Sequence, residues 1–95
     1  MITIQKEEKA PDELIAKIKA AKLTADDFAE VGRQFSLSGP TLYHLAIGSA
    51  RFGKTDIAYT RQTGAIKALL AYAMRRMKET VDEIQEVLSS LKIAA

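Results

Sequence analysis

Apolar positions recur at helical spacing along most of this chain, and short polar stretches divide them into segments. Met1 to Gln5 alternates apolar and polar residues, which allows a short strand, although so short a terminus is expected to fray. Ala10-Pro11-Asp12-Glu13 opens the first helix, because proline suits the first helical position and the two acids complement the positive helix end. Leu14, Ile15, Ile18 and Ala21 form its apolar stripe, and Lys17, Lys19 and Lys22 sit late in it, where cations suit the dipole. Thr24 is a good N-cap for a second helix from about Ala25 to Gln34, and Asp27 completes a capping-box-like pattern. Phe28, Val31 and Phe35 share one face of that helix, and Gly32 weakens its second half. Ser36 to Pro40 breaks it. Ser38 or Gly39 then caps a short third helix with Pro40 in its first turn, Leu42, Leu45 and Ala46 on its buried face, and Gly48 at its end.

After a glycine-bounded basic loop, Thr55 and Asp56 start another helix, with Gly64 as its only interior breaker and Thr63 as a possible fresh N-cap. From Ala65 the pattern is strongly helical. Ile66, Leu70, Ala73, Met77, Val81, Ile84, Leu88 and Leu91 are spaced 4, 3, 4, 4, 3, 4 and 3, a heptad-like seam with one slip. A helix of roughly 28 residues would be about 40 Å long, more than a small helical body can cover. The expected remedy is a second copy of the chain, with those eight residues as the dimerisation seam. The pattern therefore predicts an all-α single domain over residues 1–95: a compact helical body over 10–54 and a long C-terminal amphipathic helix over 55–92.

Charge adds a second layer. The net charge of +2 divides into −2 over residues 1–32, +7 over 33–78 and −3 over 79–95. A basic block between acidic flanks points to an anionic partner, or to flanks that neutralise the middle within one fold. Cysteine is absent and there is one histidine, which excludes disulfides, thiolate metal sites and histidine-rich ligation. The first residues carry charge where a signal peptide needs an apolar run, and no apolar run approaches membrane-spanning length, so the expected location is the cytoplasm, with no membrane partner. No nucleophile–base pair is evident. Asp26, Asp27 and Glu30 look too flexible and too lightly buried to act as acid, base or metal ligands. The expectation is a non-enzyme without cofactor or metal.

Two motifs compete for residues 38–55. Gly48-Ser49-Ala50-Arg51-Phe52-Gly53-Lys54-Thr55 matches the phosphate-loop pattern G-x-x-x-x-G-K-[ST], in which loop N–H groups cradle phosphate, the lysine reaches the outer phosphates and the threonine holds Mg²⁺. That loop normally edges a parallel sheet. Leu42 to Ile47 could be such a strand, at most one other strand precedes the loop, and the chain beyond Thr55 reads as helix.

The second motif covers more of the chain. Leu14-Ile15-Ala16-Lys17-Ile18-Lys19-Ala20-Ala21-Lys22-Leu23-Thr24-Ala25-Asp26-Asp27-Phe28-Ala29-Glu30-Val31 and Ser38-Gly39-Pro40-Thr41-Leu42-Tyr43-His44-Leu45-Ala46-Ile47-Gly48 resemble the lambda-repressor/Cro-like helix-turn-helix family over residues 14–53. Phe28-Ala29 takes the place of the apolar-alanine pair of the scaffold helix, Thr41-Leu42 the small-then-aliphatic place of the recognition helix, and Gly48 its end. The link from Ala29 to Ser38 is longer than the family's tight turn, Asp26 and Asp27 stand where neutral polar residues are usual, and Gly39-Pro40 offers no side-chain donor. The resemblance implies a DNA-binding regulator whose third helix lies in the major groove of double-stranded DNA. It would place Gly39, Pro40, Thr41 and His44 toward DNA, Tyr43 at the rim, and Arg51, Lys54 and Arg61 on backbone phosphates, with a homodimer presenting two such helices. The plainer alternative is a small helical protein-interaction module that grips a partner with its C-terminal helix. Within it His44 is partly buried and hydrogen-bonded, the tyrosines are core with exposed hydroxyls, and Arg75-Arg76 is a solvated helix side.

Overall fold

The computed structural model describes residues 2–93. Its element order is β1 (Ile2–Ile4), α1 (Asp12–Ala20), α2 (Ala25–Arg33), α3 (Gly39–Ala46), α4 (Asp56–Arg76), α5 (Val81–Ser90) and β2 (Leu91–Ile93). The molecule is mostly helical, and two departures from the expected all-α pattern matter.

The first is at the termini. β1 and β2 pair in parallel, with Ile2 opposite Leu91, Thr3 opposite Lys92 and Ile4 opposite Ile93. Ile2 and Ile4 are buried, and the Tyr59 hydroxyl of α4 donates to the Ile4 carbonyl. The expectation of a frayed start fails because its partner strand lies at the far end of the chain, beyond any local window. Tyr59 likewise keeps its hydroxyl inside, against the expectation of an exposed one.

The second departure is the C-terminal helix, expected to run unbroken over 55–92. It is two helices. α4 ends at Arg76, and Lys78 takes a left-handed φ of 62°. The Glu79 N–H then donates to the Met74 carbonyl at 3.1 Å and the Lys78 N–H to the Arg75 carbonyl at 3.0 Å, which is a Schellman stop. Thr80 restarts the chain as α5: its hydroxyl accepts from the Glu83 N–H, and the Glu83 carboxylate accepts from the Thr80 N–H at 3.0 Å. That reciprocal hydrogen bonding holds the Glu83 carboxyl below its usual range.

The predicted dimerisation seam is divided with the helix. Ile66, Leu70 and Ala73 are fully buried within one chain, where α4 packs on α1, α2, α3 and α5. Ile84 is buried, and Leu88 and Leu91 are partly buried against the same core. Met77 and Val81, 46% and 69% exposed, are the seam positions left open. One chain thus covers most of what was expected to need two.

Gly64 does not interrupt α4, and Thr63 caps nothing. Thr63 Oγ1 donates back to the Tyr59 carbonyl at 2.9 Å inside a continuous helix, and Gly64 lies against the Phe35 ring. No helix among the described residues is long and apolar enough to cross a membrane.

Candidate nucleic-acid interface

α2 and α3 form the most closely packed helix pair in the molecule. Thr24 caps α2 in a full capping box with Asp27, and Ser38 caps α3, its hydroxyl accepting from the Thr41 N–H at 3.2 Å. Gly39 permits the closeness: a Cβ there would lie 3.1 Å from the Ala29 nitrogen and 3.2 Å from its Cα. The long link between the helices is fixed in place. The Phe35 and Leu37 N–H groups both donate to the Gly32 carbonyl at 2.9 Å, Ser36 sits at φ 58°, and Phe35 and Leu37 pack on the core. A side chain on Gly32 would meet the Leu37 carbonyl oxygen at 2.6 Å. The residues that lengthen the turn serve as anchors, with Phe35 reaching α4.

Leu42, Leu45 and Ala46 of α3 are buried, while Pro40, Thr41, Tyr43 and His44 form one exposed arc. Gly39 is half-buried against Ala29 and offers little to a ligand. Thr41 and Ser38 share a hydroxyl–hydroxyl bond of 2.8 Å, and His44 Nδ1 lies 2.7 Å from the Ser49 hydroxyl, so His44 is hydrogen-bonded but exposed. The Tyr43 ring meets Phe28 edge-on at 5.2 Å. From Arg33 to Thr55 the chain holds no acid, so no carboxylate from α3 or its flanking loops opposes an anion here.

The Gly48–Thr55 loop has a different geometry from a phosphate cradle. Leu42 to Ala46 is helix, not strand. The Ser49 and Ala50 N–H groups donate to the His44 carbonyl, the Phe52 N–H to the Glu8 carbonyl at 2.9 Å and the Gly53 N–H to the Gln62 amide oxygen at 2.7 Å. Phe52 is buried in the core. The Ser49, Ala50, Phe52 and Gly53 N–H groups are thus engaged by the protein itself, and these bonds fasten the turn at Glu7-Glu8 to α4.

The reading of the charge pattern as internal neutralisation holds in part. The N-terminal acidic flank does neutralise some of the basic middle: Arg33 pairs with Glu30 at 3.1 Å, Arg51 with Glu8 at 3.8 Å, and Arg76 with Asp27 at 2.8 Å. Arg51 also donates to the Glu7 carbonyl, which leaves this expected phosphate contact engaged in the protein. Lys54 and Arg61 are exposed and form no ion pair among the described residues, but they sit on the loop and on α4 rather than on α3.

Asp27 overturns the expectation of a lightly buried, flexible carboxylate. It is buried and accepts from the Thr24 N–H at 2.8 Å, the Tyr72 hydroxyl at 2.6 Å and Arg76 at 2.8 Å. The Thr24 backbone bond and the Tyr72 hydroxyl, with smaller help from the Thr24 hydroxyl and the Arg76 charge, pull its carboxyl down to about 2 against the opposing effect of burial. The Tyr72 hydroxyl and Arg76 are thus engaged with α2, although Arg76 stays exposed, as Arg75 does. With both carboxylate oxygens directed at protein donors, Asp27 is a structural tie between α2 and α4. Among the described residues no group of three or more His, Cys, Asp or Glu is placed to hold a metal ion.

Sequence reasoning left two cations out of the site. Lys19 and Lys22, at the end of α1, line a recess of about 180 Å³ together with Phe28, Tyr43 and Ile47. Their late-helix position suggested a dipole role, and only the packing of α1 on α3 brings them to the same recess as Tyr43. No family model, no curated protein and no solved structure matches this chain.

Proposed function

We propose that this chain is a small duplex-DNA-binding protein of helix-turn-helix type, a regulator of transcription in which α2 braces α3 and α3 enters the major groove. The observation that carries this reading is the exposed arc of Pro40, Thr41, Tyr43 and His44 on a helix whose neighbourhood in the chain, Arg33 to Thr55, is free of acids. Thr41 supplies a hydroxyl and a methyl for base edges, and His44 a ring nitrogen, while Leu42 and Leu45 hold the helix in place. The test is a fluorescence titration against random duplexes at about 50 and 200 mM salt, where binding is expected to weaken steeply as salt rises. In a selection from a duplex pool, Thr41→Ala with His44→Ala is expected to lower discrimination by about 1–3 kcal/mol per lost base contact and to leave non-specific binding in place. Absence of binding at the lower salt sinks the proposal.

One observation favours a second reading, a protein-interaction module. Leu23, Ala25, Phe28, Gly39, Pro40 and Tyr43 line an apolar recess of about 270 Å³ at the start of α3. A chain that binds no duplex but is captured by an apolar peptide through Tyr43 would establish it.

A further inference from the structure

We infer that Lys19 and Lys22 form a phosphate-contacting flank for α3, so that the DNA backbone is held from α1 as well as from the loop and α4. The inference rests on the DNA-binding reading and deepens it. Both lysines are exposed, and neither forms an ion pair among the described residues. They share a recess with Tyr43, which stands at the edge of the exposed arc of α3. Position within α1 explains why both reach the same recess. Lys19 is in its last turn, and Lys22 sits in the left-handed residue that stops it, at φ 51°. The Lys22 N–H closes on the Lys19 carbonyl at 3.1 Å, which fixes the backbone of the pair.

The surrounding charges suit an anion. Asp27, close by in the chain, is held by Thr24, Tyr72 and Arg76, and this leaves Asp26, exposed in the first turn of α2, as the nearest free acid in sequence. On the other side α3 contributes no acid. Two exposed lysines that line one recess with Tyr43, next to α3, match a run of backbone phosphates. They do not match base edges, so the contribution is affinity without sequence preference.

The experiment compares the full chain with a Lys19→Gln/Lys22→Gln variant, and with Lys92→Gln on β2 as a charge-loss control, titrating a labelled random duplex across salt. Glutamine keeps helix propensity, and circular dichroism checks the fold. The double variant is expected to reduce the slope of log affinity against log salt by about 1.8, so that the affinity ratio between about 50 and 200 mM salt shrinks roughly tenfold. Lys92→Gln is expected to leave the slope near the parental value. A parental slope in the double variant overturns the inference while the α3 reading stands. A parent protein that binds no duplex at low salt overturns both. Equal binding of polyglutamate and duplex by the parent overturns the assignment to DNA phosphates.

Discussion

The stretches on either side of Met77 continue one apolar seam in the sequence, yet they do different work in the fold. Before Met77, Ala65, Ile66, Leu69, Leu70 and Ala73 are fully buried, and α4 is the post on which the other four helices lean. Beyond it, α5 buries Ile84 alone, and Val81 stays 69% exposed. The spacing of apolar residues defines which face of a helix is sticky. It does not say what covers that face, nor whether the helix is continuous. A break that turns the chain back lets one molecule cover a seam that an unbroken rod would have to offer to a neighbour.

Truncation across the break sharpens this contrast most. Leu70→Ala is expected to lower unfolding stability by about 2–5 kcal/mol. Val81→Ala, on the open side, is expected to change it by no more than about 0.5 kcal/mol. Urea unfolding of both checks this, and comparable losses would restore a seam shared between two chains. Next comes the tie from α2 to α4. Because the Asp27 carboxyl titrates lower in the folded chain than in the unfolded one, its contribution is fully present above the ordinary carboxylate value of 3.8 and is lost as pH falls toward about 2. Asp27→Asn is expected to lower the urea midpoint at pH 7 and to flatten its fall between about pH 4 and 2. An unchanged acid profile would remove the tie. The restart of the chain should be weaker but clear: Thr80→Ala is expected to cost about 1 kcal/mol through loss of the cap. Smallest, and opposite in sign, is Lys78→Gly. Relieving a left-handed lysine is expected to raise stability by about 0.5–1 kcal/mol, readable as a small rise in the same midpoint. A loss there would mean that the stop after Arg76 is not where α4 ends.

Much of the fold is legible residue by residue. Thr24 and Thr55 cap the helices they were expected to start, Ser38 is the one of the two expected residues that caps α3, and Pro40 sits in its first turn. The stop after Arg76 was hidden because its left-handed position holds lysine, as the ends of α1 and α2 hold Lys22 and Ser36, while only α3 uses glycine, at Gly48. The restart was in plain view. Thr80-Val81-Asp82-Glu83 is a full capping-box pattern, and the continuity of the apolar seam masked it. Within the candidate site, the exposed arc of α3 is set by its own three buried positions. The place of Lys19 and Lys22 is not, because it depends on how α1 crosses α3.

By itself, then, the sequence determined the local events. Caps, proline and apolar spacing act over a few residues, and their energies are present before any tertiary contact forms. It also determined that Arg33 to Thr55 carries no acid. Only the tertiary structure decided which charges cancel, joining Asp27 to Arg76 across 49 residues and Glu8 to Arg51 across the mouth of the loop. It also decided that Ile2 and Ile4 have a strand to pair with, and that a letter-perfect phosphate-loop pattern follows a helix and turns the N–H groups of Ser49, Ala50, Phe52 and Gly53 on its own protein. These outcomes depend on approach between distant segments. That approach is set by the packing of whole helix faces, which no short window of residues records.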